Sequence, residues 1–387
     1  MREVWKARDT RLDRTVAGKF SQAAFTGRCE REARAIGKLN HPKIATLRDA
    51  GENAPRGECN GDTRKPLAIA VQIAAGPAAG IVNRKHCWRF TPEPRHNQPM
   101  DRFLLHNDSI RETTEPCLLP GQVGFLNGWG VFSTLRVADG VLFAWERHWA
   151  RMSRDARRLR VPLPETPGQL LTGLHSLIAA NSANDATLRV AIVRNHGGLF
   201  EAPGISRRFE TIAFTTALRN WGGSVRLALK PDARHGATEF RGAKITAWAG
   251  NLAWYEEAHE RGFDEVVLLD ELGRVSECTS ANLFAVFGGD VVTPPLDSGC
   301  LPGITREILL ESIRVDGITC REGHLRPADL EAADAVFMTS STRDLLPVTE
   351  IEGLRIRRVG DVPERLLAAF RAHIAEYVAA RRPQLVK

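Results

Sequence analysis

The last three quarters of this 387-residue chain predict a mixed α/β (α+β) fold, and three observations carry that prediction. Short apolar runs at strand spacing alternate with charged runs at helix spacing. Tight Gly-containing turns join the strand-like runs, so sequence neighbours should pair as hairpins. The composition, 43% hydrophobic and 26% charged, is that of an ordinary globular protein long enough for two or three domains with cores of their own.

Taken in order, residues 1–51 alternate helix and strand signals and end at "LNHPKIATLRDAG". Residues 52–66 are polar and linker-like. Residues 67–82 have helical spacing interrupted by Pro77, and 83–99 are irregular with three prolines. The natural cut falls near residue 100, which leaves 1–99 as a leader. Beyond it, "GVFSTLRVADGVLFAWERHWARM" reads as strand, Ala-Asp-Gly turn, strand and then a helix over 146–159, stopped by "VPLP". "TLRVAIVRNHGG" is an apolar strand ended by glycines. "EVVLLDELGRVSECTS" is a hairpin about Glu271-Leu272-Gly273, and "NLFAVFGGDVVTPP" is a second about Gly288-Gly289-Asp290. "LPGITREILLESI" sets Pro and Gly just ahead of a helix with apolar Ile308, Leu309 and Ile313. In the C-terminal helix, Leu366, Leu367, Phe370, Ile374, Tyr377 and Val378 form one apolar stripe, read as core packing.

Composition also excludes classes of function. No apolar run is long enough to span a membrane, and "MREVWKARDTRLDR" lacks the apolar core of a secretory signal. Seven scattered cysteines include no C-x-x-C pair, so no metal site or disulfide framework is expected, and reduced thiols point to a cytoplasmic protein. The net charge of +7 belongs to the leader, since residues 1–99 carry 19 Lys and Arg against 10 Asp and Glu. No aromatic interleaving accompanies it, so it reads as a solvated surface and not as a nucleic-acid footprint.

One residue stands apart. Residues 100–387 contain 31 arginines but only three lysines, Lys230, Lys244 and Lys387. Lys244 opens a stretch, Ile245 to Tyr255, without a charged side chain. An arginine keeps its proton near neutral pH, whereas a desolvated lysine can lose it and attack a carbonyl to form a Schiff base. The alternative is a lysine snorkelling from a helix start. Three further signals converge: Glu277 at a strand end in "ECTSANLF"; "LPGITR" (301–306), a helix start suited to a phosphate; and "TSSTR" (339–343), with hydroxyls after a strand. A Schiff-base lysine, an acid and a phosphate cradle are the parts that pyridoxal 5′-phosphate requires.

The run from Glu277 to Arg306, E-C-T-S-A-N-L-F, six residues, V-V-T, seven residues, L-P-G-I-T-R, resembles the signature of the class IV pyridoxal-phosphate aminotransferases at every fixed position. That family includes branched-chain aminotransferase, D-amino acid aminotransferase and 4-amino-4-deoxychorismate lyase. The resemblance covers about 100–387 and includes "GWGVFSTLR", "ERHWARM", "LRVAIVR" and "FMTSSTRDLLPV". It implies a two-domain fold, with a small domain over 100–215, a cofactor-binding domain over 216–387 and the cofactor between them, in a homodimer. It implies Lys244 as the Schiff-base lysine and proton shuttle, and Glu277 at the pyridine nitrogen. Arg151, the backbone N–H groups of Ile304 and Thr305, and Ser340 and Ser341 would hold the phosphate. Arg189 falls where some members grip the substrate carboxylate, the alternative being a strand residue facing solvent. The implied substrates are an amino acid and a 2-oxo acid.

Two departures bear on the substrate. Many family aminotransferases have Glu where this chain has Ser133, and the lyase has a hydroxyl residue there, which places Ser133 among the substrate-side residues. No tyrosine follows closely on Lys244, and Tyr255 and Tyr377 are the only two in the chain. The alternatives are therefore a lyase releasing pyruvate from 4-amino-4-deoxychorismate or, in another class, an inactive regulatory protein. The last rests on the leader. There "EVWKARDTRLDRTVAGKF" and "REARAIGKLNHPKIA" resemble a piece of a serine/threonine protein kinase, with Lys19 and Glu32 at its ion-pair positions. Asn83-Arg84-Lys85 stands in place of the catalytic H-R-D, so the base aspartate is a lysine and a remnant without phosphoryl transfer is implied.

Overall fold

The computed structural model describes residues 98–198 and 203–385, together with three strands nearer the N-terminus. The chain falls into two compact units, Met1–Asn97 and Gln98–Lys387. In the first, β1 (Arg2–Asp9) and β2 (Arg14–Ser21) pair antiparallel from Arg2↔Ser21 to Asp9↔Arg14, and β3 (Phe90–Pro92) pairs on the other edge of β1. Glu32, the helix expected over 67–82 and Asn83-Arg84-Lys85 lie outside the described residues, as does the side chain of Lys19.

The second unit holds two sheets. The first is wholly antiparallel, in the order β5-β4-β9-β8-β6-β7. Its strands are β4 (Phe103–His106), β5 (Ser109–Glu112), β6 (Gly130–Ala138), β7 (Val141–Leu142), β8 (Ala186–Arg194) and β9 (Phe209–Ala217). A short helix, α1 (Val123–Asn127), leads into β6. Asp139 and Gly140 close the β6–β7 hairpin, both with positive φ, the geometry of a two-residue turn whose twist matches its strands. Helices α2 (Trp145–Leu159) and α3 (Pro167–Ala180) follow. Val131, Leu135, Leu188 and Val190 pack against Met152, Ala156, Leu170 and Leu174 to form the core. Helix α2 ends at Arg160 in the left-handed conformation, just ahead of "VPLP".

The second sheet is mixed, in the order β12-β11-β10-β17-β16-β13-β14-β15. It comprises β10 (Val225–Arg234), β11 (Glu265–Asp270), β12 (Val275–Cys278), β13 (Asn282–Phe287), β14 (Asp290–Thr293), β15 (Thr319–Glu322), β16 (Ala335–Ser340) and β17 (Asp344–Ile351). Both expected hairpins form, β11–β12 and β13–β14. Strands buried on both faces read as continuous apolar runs, as "EVVLLD" and "NLFAVF" do. One face packs Leu227, Val267 and Leu283 together. The other packs Phe284, Val286 and Phe337 under α5 (Ile304–Glu311) and α7 (Val362–Leu385). Leu366, Phe370, Ile374 and Val378 are buried there, with Leu367 and Tyr377 partly so, as the stripe predicted. Helices α4 (Ala249–Glu260) and α6 (Pro327–Ala332) complete the unit.

Residues 244–246, which follow β10 of the second sheet in the chain, pair with β6 of the first. Phe132 N–H donates to the Lys244 carbonyl at 3.1 Å, and Thr246 N–H donates to the Gly130 carbonyl at 3.0 Å, so this segment lies along the free edge of β6. Lys244 therefore does not snorkel from a helix start, because α4 begins five residues later and strand-like pairing holds the lysine.

Candidate active site

The β6 edge brings Lys244 against aromatic rings. Its Nζ lies 4.6 Å from the centroid of Phe132 and 6.0 Å from that of Trp248, and the two rings meet edge to face at 6.0 Å. Part of the residue keeps accessible surface, yet protein atoms crowd the amine. That desolvation, with the nearby charges of Arg151 and Arg189, lowers the lysine to about 7, while Glu277 and Asp155 act against it. The buried Asp155 carboxylate fixes the backbone by accepting the Lys244 N–H at 3.0 Å.

Arg189, on β8, lies over the same aromatic pair, with its guanidinium carbon 4.0 Å from the Phe132 centroid and 5.8 Å from that of Trp248. Burial lowers its pKa, and among the described residues no carboxylate pairs with it. It is therefore not a solvent-facing strand residue. A partly desolvated guanidinium without an anion, beside an amine whose pKa is lowered to about 7, is suited to a carboxylate.

Helix α2 carries His148, Arg151 and Asp155 on one buried face, three and four residues apart. Arg151 donates through Nη1 to the Pro302 carbonyl at 3.2 Å and through Nη2 to Ser133 Oγ at 2.9 Å, and among the described residues its buried Nε has no partner. Burial pushes this arginine down to about 10. Pro302 precedes Gly303, the N-cap of α5, which supplies no side-chain cap to the first turn where Ile304 and Thr305 are buried. A Cβ at Gly303 would sit 2.0 Å from Asn282 Oδ1, so glycine is required there. Asn282 donates to the Leu301 carbonyl at 2.8 Å and pairs across β13–β16 with Thr339, whose buried Oγ1 has no partner. Ser340 and Ser341 follow at the end of β16, half-buried, with Ser340 Oγ accepting the Arg343 N–H at 3.2 Å. An unpartnered arginine Nε, an uncapped helix start and an orphaned hydroxyl fit a phosphate.

Glu277, next to last in β12, has both oxygens held. Oε1 accepts from Arg234 Nε at 2.9 Å and Oε2 from the Leu301 N–H at 3.0 Å. The residue is 8% exposed and presents a fixed carboxylate toward Lys244. Ser133, by contrast, is fully buried, and its hydroxyl lies 2.7 Å from His148 Nδ1 as well as against Arg151. Sequence reasoning missed Phe132, Trp248, His148, Asp155, Asn282 and Arg234. The helical spacing of His148 and Asp155 about Arg151 was a usable signal; the other contacts are long-range. Among the described residues no cluster of His, Cys, Asp or Glu could hold a metal ion, and no helix is long and apolar enough to cross a membrane.

Comparison with known proteins converges on one family. A family model described as amino-transferase class IV matches residues 130–351. A putative branched-chain-amino-acid aminotransferase of Methanocaldococcus jannaschii is 30% identical over 259 residues, covering 64% of this chain and 88% of the relative. A D-alanine aminotransferase of Bacillus licheniformis is 25% identical over 257 residues, covering 65% and 89%. The crystal structure of the Escherichia coli branched-chain amino acid aminotransferase superposes with a TM-score of 0.65 at 25% identity, covering 70% of this chain and 94% of that one.

Proposed function

We propose, for a chain that belongs to the class IV aminotransferases, that its site moves the amino group of a branched-chain amino acid to a 2-oxo acid. The chain is a pyridoxal 5′-phosphate-dependent transaminase of that family. The observation that carries the finer reading is that Arg189 and Lys244 both lie over Phe132, which packs edge to face on Trp248: a carboxylate anchor and a base beside apolar rings. The names of the Methanocaldococcus and Escherichia relatives support the substrate class.

When bound, the cofactor supplies an aldehyde for amine exchange and a ring that withdraws electrons from the substrate α-carbon. In our reading Lys244, whose pKa of about 7 makes the neutral amine available, would take the proton from that carbon and return it on the other side of the exchange. Glu277, held by Arg234 and Leu301, keeps a proton on the ring nitrogen. Arg151, the N–H groups of Ile304 and Thr305, and Ser340 and Ser341 would hold the phosphate. Arg189 orients the substrate carboxylate, and the two rings exclude water.

We read 100–215 and 216–387 as two domains, a division that the separate cores of the two sheets support. A homodimer is the accompanying expectation, tested by mass in solution. The kinase-like reading of residues 1–85 stays a proposal from sequence, and Lys85 in place of the base gives it no phosphoryl transfer.

Purified protein with cofactor, offered L-leucine, D-alanine or 4-amino-4-deoxychorismate in separate cuvettes, tests the reading by absorbance and keto-acid formation. Amino transfer from L-leucine is expected. Reaction with D-alanine alone would replace the substrate class. Pyruvate release from the chorismate derivative without an acceptor would favour the lyase instead.

A further inference from the structure

We propose that Ser133 and His148 are positioning residues for Arg151: a neutral imidazole accepts a hydrogen bond from the Ser133 hydroxyl and thereby turns the hydroxyl's lone pair onto the guanidinium. This rests on the reading that Arg151 holds the cofactor phosphate.

Proton accounting leads to it. Arg151 Nη2, 2.9 Å from Ser133 Oγ, can only donate, so Oγ accepts there. The hydroxyl then has one proton to place, and its second neighbour is His148 Nδ1 at 2.7 Å. With Oγ–H donating a hydrogen bond to Nδ1, the imidazole is neutral and carries its one proton on Nε2. Burial, with the charges of Arg151 and Lys244, holds His148 well below its ordinary value, so this arrangement persists across the working pH range. Both residues are fully buried, and among the described residues His148 Nε2 has no partner. A buried polar atom left without a partner calls for an explanation beyond packing, because a ring of carbon would avoid it.

The neutrality of the pair matters as much as its geometry. A carboxylate at position 133 would form an ion pair with Arg151 and spend its charge within the protein. A hydroxyl backed by a neutral imidazole orients the guanidinium and leaves its full charge for an anion. Nη1 is anchored on Pro302 and Nη2 on Ser133, which leaves the unpartnered Nε fixed in place near the start of α5. Ser133 thus acts through Arg151, its hydroxyl fully buried between the guanidinium and the imidazole.

The test compares pyridoxal 5′-phosphate with phosphate-free pyridoxal, each titrated into the full-length protein and read by tryptophan fluorescence quenching. S133A and H148F should weaken the phosphorylated ligand about tenfold or more, the loss of one hydrogen bond to a charged group, and leave pyridoxal binding as in the wild type. H148Q, whose amide oxygen can accept the hydroxyl proton, should keep most of the preference. Equal losses for both ligands would mean a structural role only and overturn the proposal. So would an undiminished phosphate preference in S133A. R151Q separates the two layers. If R151Q loses the preference while S133A keeps it, the positioning role alone falls. If R151Q keeps it, the phosphate reading falls and the positioning role falls with it.

Discussion

Lys244 offers the sharpest test, because its titration depends on Arg189, which lies 55 positions away in the chain on β8. Lys244 Nζ and the Arg189 guanidinium both lie over Phe132, at 4.6 and 4.0 Å from its centroid, so they are no more than about 8.6 Å apart. Two like charges at that distance repel by about 1.9 kcal/mol at an effective dielectric of about 20. That corresponds to about 1.4 pH units, and salt screening brings it to about one. Removing the guanidinium in R189Q should therefore raise the lysine from about 7 to about 8. The sign follows from the charge: a like charge disfavours the protonated amine, and its loss restores it. Near pH 7.4 the neutral fraction should fall from roughly 70% to roughly 20%.

Competitive acetylation of the cofactor-free protein between pH 6 and 10 measures this directly, since only the neutral amine reacts. Mass spectrometry of the Lys244 peptide gives the midpoint, and Lys230 in the same digest corrects for reagent decay. A wild-type midpoint near 10 would refute the desolvation argument. An unmoved midpoint in R189Q would refute the placement of Arg189 beside the amine.

Four further outcomes follow from the same contacts. R189Q should raise the KM for amino donors about 100-fold with a smaller change in kcat, as expected for a lost charge-assisted contact to the substrate, and steady-state kinetics checks it. E277Q should lower kcat by about 100-fold or more at saturating cofactor while the protein still binds pyridoxal 5′-phosphate, measured by turnover and titration together. G303A places a methyl group 2.0 Å from Asn282 Oδ1 and should lower stability by about 1–3 kcal/mol, read as a depressed Tm. Glu265, buried under Thr279, Ser280 and Arg343, ties the loop after Glu277 to the loop after Ser340; E265Q should cost about 3–5 kcal/mol in denaturant unfolding, because it leaves the buried Arg343 charge unbalanced.

The contrast between Lys244 and its neighbours explains what was legible in the sequence. Local chemistry announced itself: the Gly-containing hairpin turns, the uncapped helix start at Gly303 and the lone lysine in an apolar stretch are all short-range signals, and each element they predicted formed. What makes the lysine reactive is long-range. Phe132 is 112 positions away and Arg189 is 55, and both reach the amine only because residues 244–246 add to the free edge of β6. No periodicity encodes that pairing, since strand addition joins backbones and leaves little mark on side-chain pattern. Ser133 shows the same limit at a single residue. As a letter it reads as a hydroxyl on the substrate side; in the fold its strand faces α2, where one helical turn supplies both the imidazole that lies 2.7 Å from the hydroxyl and the arginine that donates to it. The residue's chemistry was visible in the sequence, but its direction depended on which face of β6 the helix covers. A strand of alternating faces gives adjacent residues opposite surroundings, so Phe132 meets Lys244 while Ser133 meets Arg151.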